Sequence, residues 1–187
     1  MKTNSFWSDA SRCGAIVGLV SVAFSLLGLL VPSIAFVCNL LSFVAMVYLL
    51  FYFTRKRASQ FTADGFTYSQ SLGFIVGSAV FVGIVSAAFQ IVAGNFLFTE
   101  QFEQTISTTV GEMQKSGIYD AEMIKQMASA MRTYMFSPIA VLLSQVFGNV
   151  LYLGFLGLFI SVGTKCEPVL FDIQNEEEED DDEQSNE

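Results

Sequence analysis

Long apolar runs alternate along this chain with short polar connections, and the first run is too long for one element. From Cys13 to Thr54 no residue carries a formal charge, and Leu, Val, Phe, Ala, Ile and Gly dominate. As a single helix the run would extend about 60 Å at 1.5 Å per residue, twice the roughly 30 Å hydrocarbon core of a bilayer. It must turn back, and Pro32-Ser33 is the place, because proline breaks a helix interior but suits a tight connection. The pattern predicts spans over about 13–31 and 33–53, a third over about 68–98 and a fourth over about 138–162. Residues 99–137 keep the helical period with polar faces. Phe102, Ile106, Val110 and Met113 form one stripe, Ser116-Gly117 interrupts it, and Asp120 is placed to cap a second helix with Glu122 in its first turn. Ser137-Pro138 then reads as an N-cap followed by proline at the first helical position. The expectation is an all-α polytopic membrane protein: four transmembrane helices in a bundle, with an extracytoplasmic helical hairpin between the third and fourth spans.

Small residues suggest how the spans meet. Gly14, Gly18, Ser21, Ser25 and Gly28 recur at intervals of four, three, four and three, which puts them on one face of the first helix. In lipid, where apolar burial does not favour protein over tails, such faces let backbones approach. The third or fourth span is expected to dock there; the alternative is a glycine-lined path for a ligand. Gly73 and Gly77 make a GxxxG pair in the third span, with Ala79, Gly83, Ser86 and Gln90 on a neighbouring face. The spans contain no Asp, Glu, Lys, Arg or His, which argues against a proton relay or coupled transport. Their polar groups are amides, Asn39, Gln90, Gln145 and Asn149, with Tyr152 on the face of the last two. Either the amides hydrogen-bond across helix interfaces, each contact contributing about 0.6–2 kcal/mol, or Gln90, Gln145, Asn149 and Tyr152 line a cavity for a polar or lipid-like ligand.

Charge sets the orientation. Arg55-Lys56-Arg57 follows the second span directly and is expected to hold that end in the cytoplasm. Both termini then lie inside, with Lys2, Arg12, the triplet and Lys165 there and Lys115, Lys125 and Arg132 outside. The net charge of -9 is misleading as a whole, because residues 167–187 hold eleven of the eighteen acids and no base. Residues 1–171 are expected to form the transmembrane domain and 172–187 a disordered tail whose acidic block, Glu176 to Glu183, competes with anionic lipids for the triplet. Ser33-Ile34-Ala35 resembles a signal-peptide cleavage site, but the preceding run is long for a signal core and apolar sequence resumes at once, so a retained span is expected.

The remaining chemistry is sparse. There is no histidine, and Cys13, Cys38 and Cys166 lack metal or redox spacing, so packing roles are expected. No P-loop, dinucleotide fingerprint or metalloprotease motif occurs, and no basic surface suits nucleic acid. Met123, Met127, Met131 and Met135 form a ladder of four on the second hairpin helix. Thioethers suit copper(I), but with no Cys or His beside them an apolar packing stripe with Ile124 and Tyr134 is the favoured reading.

Several ordered motifs together resemble one family. They are Cys13-Gly14-Ala15-Ile16-Val17-Gly18 opening the first span, the bases after the second, and Phe66-Thr67-Tyr68-Ser69-Gln70-Ser71-Leu72-Gly73 entering the third. Met113-Gln114-Lys115-Ser116-Gly117, Met135-Phe136-Ser137-Pro138 and Lys165-Cys166-Glu167-Pro168-Val169-Leu170-Phe171 complete the set. The chain is similar to bacterial four-span membrane proteins catalogued as domain of unknown function 4199. The resemblance implies the architecture and a bacterial inner membrane; the family carries no settled activity and so no catalytic residues. The expected function is a non-enzymatic membrane subunit or partner-binding protein without a cofactor, its partners the bilayer and another membrane protein or a second copy. A passive transporter or channel accessory for a small neutral or lipid-like solute is the alternative, and copper(I) binding the lower one.

Overall fold

Hydropathy and length dictate four long helices, and four helices long and apolar enough to cross a membrane are present in the computed structural model of the chain. It describes residues 3–61 and 65–164. Lys2, Asp64, the Lys165–Phe171 motif and the acidic tail lie outside the described residues. Among the described residues the fold is all-helical: α1 (Thr3–Leu30), a 3-10 turn (Pro32–Ile34), α2 (Ala35–Ala58), α3 (Tyr68–Val92), a π turn (Ala93–Leu97), α4 (Thr99–Ser116), α5 (Ala121–Phe136) and α6 (Pro138–Thr164). The proline turn reverses the chain between α1 and α2. Helix α1 starts at Thr3 and runs through the polar lead, so Phe6, Trp7 and Asp9 belong to it.

Local chemistry fixes the other ends. Thr67 and Gln70 form a reciprocal capping box at the start of α3, satisfying backbone donors that a first turn leaves open. Gly117 closes α4 at φ +65°, a left-handed conformation that glycine adopts without a Cβ penalty. The Asp120 carboxylate accepts from the Ala121 N–H at 2.7 Å. Helices α4 and α5 bury Ile106 and Ile124, and Glu103 on α4 pairs with Arg132 on α5 at 3.0 Å.

The bundle is organised on α3. Of its most apolar stretch 44 % is buried, against 22 % for α1 and 11 % for α2 and α6, so α3 is the central helix and the others turn broad faces to lipid. Helix α1 packs on one side of α3 and α6 on the other, with α2 against α1. Glycines permit both approaches. A Cβ at Gly14 would lie 2.5 Å from the Ser78 carbonyl oxygen of α3, and one at Gly18 2.9 Å from the Val85 Cβ. On the opposite side a Cβ at Gly83 would lie 2.6 Å from the Val146 Cα of α6. At one end of the bundle the Ser71 and Thr164 hydroxyls share a buried hydrogen bond of 2.8 Å between α3 and α6. The other end carries the α4–α5 hairpin.

Candidate functional site

The small-residue face of α1 divides its work by depth. Gly14 and Gly18 are filled by α3, and Gly28 sits in ordinary contact with Ala35 and Cys38 of α2. Between them Ser21 and Ser25 line a cleft of about 340 Å³ in the half of the bundle nearest the hairpin. Ser86 and Gln90 of α3 and Gln145 of α6 complete its polar lining, and Val22, Leu29, Phe89, Ala93 and Phe102 supply the apolar remainder. The cleft exists because tight packing at the Gly14 and Gly18 level is not continued at the serine level.

Inside it, Gln145 Nε2 donates to Gln90 Oε1 across the α3–α6 interface. Asn149 Nδ2 donates to the Gln145 carbonyl at 2.8 Å and lies 3.4 Å from its Oε1, so Gln145 is braced from its own helix as well. The Ser21 hydroxyl oxygen is buried and has no hydrogen-bond partner among the described residues. Such an oxygen costs on the order of 1–3 kcal/mol when left unpaired. Among the described residues no charged side chain lines the cleft. The arrangement offers hydroxyls and amides to a neutral molecule.

A π turn borders the cleft. Ala93, in its lining, opens the Ala93–Leu97 turn, and Asn95 Nδ2 donates to the Ile91 carbonyl at 3.0 Å and to the Phe136 carbonyl at 3.4 Å. This ties the end of α3 to the end of α5. Phe102 and Phe136 meet edge to face at 6.4 Å over the same region. Such turns within helices occur frequently at functional sites.

The other sequence-derived residues are not all drawn in. Asn149 and Tyr152 share a separate groove of about 270 Å³ with Tyr134 and Ser144, which Gln145 also borders. Asn39 is exposed on α2, apart from the Gln90–Gln145 pair. A Cβ at Gly77 would lie 3.3 Å from the Phe6 ring, but Gly73, its GxxxG partner, is exposed and has no described atom within 4 Å of a Cβ built on it. The methionine ladder does not lie in one environment: Met123 is exposed, whereas Met127, Met131 and Met135 are half-buried. Four residues advance a helix by about 400°, so each sulfur is turned about 40° from the one before.

The basic triplet does not act as a unit. Arg55 and Lys56 are exposed, but Arg57 is only 6 % exposed. It donates to Asp9 of α1 at 2.5 Å, and its guanidinium carbon sits 5.2, 5.6 and 5.1 Å from the ring centroids of Phe6, Phe61 and Phe74. Sequence reading missed this cage because its members come from separate stretches; the one signal was an acid, Asp9, one turn before the apolar run of α1 begins.

No curated protein and no solved structure matches the chain. The family model described as "Protein of unknown function (DUF4199)" matches residues 12–165, which include all four apolar spans almost entirely, the hairpin and the cleft. On that match over most of its length, the chain belongs to the DUF4199 family of proteins of unknown function.

Proposed function

We propose that the protein is a non-enzymatic, multi-pass binding protein of the bacterial inner membrane that holds a small uncharged ligand, a neutral solute or the polar end of a lipid-like molecule, in the Ser21–Gln90–Gln145 cleft. The observation that carries this reading is the convergence of Ser21, Ser25, Ser86, Gln90 and Gln145 from three helices on one cleft. A charged ligand would lose its hydration there without a counter-charge, whereas a neutral one exchanges water hydrogen bonds for those of the amides and hydroxyls. The tight contacts of Gly14 and Gly18 with α3, and the approach of Ile75 to within 3.0 Å of where a Cβ at Gly157 would lie, close the opposite half of the bundle. That favours retention of a ligand over passage through the protein. With both termini cytoplasmic, as the bias of basic residues supports, the cleft and hairpin face the extracytoplasmic side.

The test compares the full-length protein with its Gln90→Leu/Gln145→Leu variant, each purified from native membranes in mild detergent, with retained small molecules identified by mass spectrometry. Replacing both partners of a hydrogen bond with apolar groups is close to neutral for stability. The unfolding midpoint should therefore shift by only a few degrees, roughly the scale of 1 kcal/mol in a protein of this size. At least one neutral species should be retained by the parent and lost from the variant. An identical complement in both defeats the reading.

A second reading, a partner-binding subunit, is favoured by the hairpin connection, where Ile118 is 79 % exposed beside half-exposed Tyr119 and Met123. Substitution Ile118→Glu should then abolish a specific crosslink to another membrane protein or a second copy while leaving the bundle's unfolding midpoint unchanged. Retention of every crosslink counts against it.

A further inference from the structure

The burial of Arg57 changes what the remaining bases at that end of the bundle face. The uncharged part of α1 from Cys13 to Leu30 rises about 27 Å, and that of α2 from Ala35 to Thr54 about 30 Å. Both match the hydrocarbon core of a bilayer, which puts Arg12 and Lys56 just beyond its edge, at the depth of lipid phosphates. The two side chains line one pocket of about 500 Å³, together with Gln60 and the Asp9–Arg57 pair.

Asp9 and Arg57 balance one another through their ion pair. Arg12 and Lys56 are exposed, and among the described residues neither is in an ion pair. The pocket therefore carries an excess of two positive charges. Its wall is apolar: Ile16 and Phe53 line it below the bases. Ile16 is 42 % exposed and Leu19 62 %, one and two turns along α1 from Arg12 on the same face. A cationic rim at phosphate depth above an exposed apolar stripe is complementary to one kind of molecule.

We propose that this pocket between α1 and α2 binds an anionic phospholipid, with Arg12 and Lys56 on the phosphate, Gln60 beside the headgroup and an acyl chain along Ile16 and Leu19. Arg12 can present two parallel N–H donors to phosphate oxygens, and Lys56 adds a point charge. Zwitterionic lipids are disfavoured because their own ammonium group would meet the two bases. Arg57 does not contact the lipid; it holds Asp9 away from the phosphate.

Native mass spectrometry of the full chain in neutral detergent, titrated with equal amounts of phosphatidylglycerol and phosphatidylethanolamine of the same acyl composition, tests the assignment. The parent should retain phosphatidylglycerol preferentially, and Arg12→Gln/Lys56→Gln should reduce that preference about thirtyfold, the scale of two juxtamembrane bases. Arg12→Lys/Lys56→Arg and Arg55→Gln should keep it. Circular dichroism and size exclusion check the fold; if the double glutamine variant does not fold, Lys56→Gln alone decides, with a reduced preference expected. An unchanged preference in the folded glutamine variant overturns the proposal. So does a preference that is missing from the full chain and present only after deletion of residues 172–187, which would make the acidic tail the occupant.

Discussion

Replacing Arg57 with methionine is expected to lower the unfolding midpoint in detergent by roughly 6–12 °C, the equivalent of about 3 kcal/mol in a protein of this size. The side chain is 6 % exposed and connects four stretches: Asp9 and Phe6 on α1, its own position on α2, Phe61 in the following connection, and Phe74 on α3. Methionine approximates the volume but supplies neither the charge for Asp9 nor the cation for the rings. Breaking a buried ion pair from one side typically costs about 3–5 kcal/mol, because the remaining charge is stranded. The lower end applies here, since Asp9 is 35 % exposed and water can reach it. Two further variants separate the contributions. Asp9→Asn should cost less than Arg57→Met, and combining them should cost less than the sum. Arg57→Lys should rescue poorly, because a guanidinium plane stacks on rings and an ammonium does not. A midpoint for Arg57→Met within 2 °C of the parent would mean that the cage contributes little.

Substitutions of glycine by alanine should divide sharply by position. Alanine normally stabilises a helix by about 1 kcal/mol relative to glycine, and Gly73→Ala, with no described neighbour within 4 Å, should be neutral or slightly stabilising. Gly14→Ala and Gly83→Ala should instead lose about 1–3 kcal/mol, the usual range for forced overpacking. At Gly14 the new methyl would sit 2.5 Å from both a carbonyl oxygen and a Cβ of α3; at Gly83 it would sit 2.6 Å from a Cα of α6. Neither obstacle is a flexible side-chain end, so whole helices must separate. Larger residues at either site should prevent assembly, read as a shift to aggregates in size exclusion. Equal midpoints for the alanine variants at 14, 73 and 83 would refute the packing described for α3.

The four spans and the hairpin could be read from the sequence because each depends on a short-range pattern. An uncharged run of about twice the membrane's thickness with a proline near its middle, and a helical stripe of Phe102, Ile106, Val110 and Met113, are each legible from neighbouring residues alone. The cleft was only half legible. Gln90 and Gln145 were visible as isolated amides in apolar helices, but that they meet depends on how α6 rotates against α3, and Asn39 with the same chemistry is left facing outward. Ser21 and Ser25 looked like packing positions equivalent to Gly14 and Gly18. Only the three-dimensional path of α3 separates them, touching the first pair and diverging from the second. The Arg57 cage was illegible for another reason. A base directly after a span has an adequate explanation in topology, and nothing local distinguishes the member of Arg55-Lys56-Arg57 that turns inward.

The π turn at Ala93–Leu97 makes the heading of the hairpin a matter of one residue. A π turn accommodates one residue more than an α-helix over the same length, and one residue is about 100° of rotation. Everything after Leu97 therefore points about a quarter-turn away from where an uninterrupted α3 would have sent it, and the Asn95 contact with the Phe136 carbonyl secures that heading. Within this architecture, a single-codon insertion or deletion at 93–97 would swing the α4–α5 hairpin around the bundle without altering one residue of either.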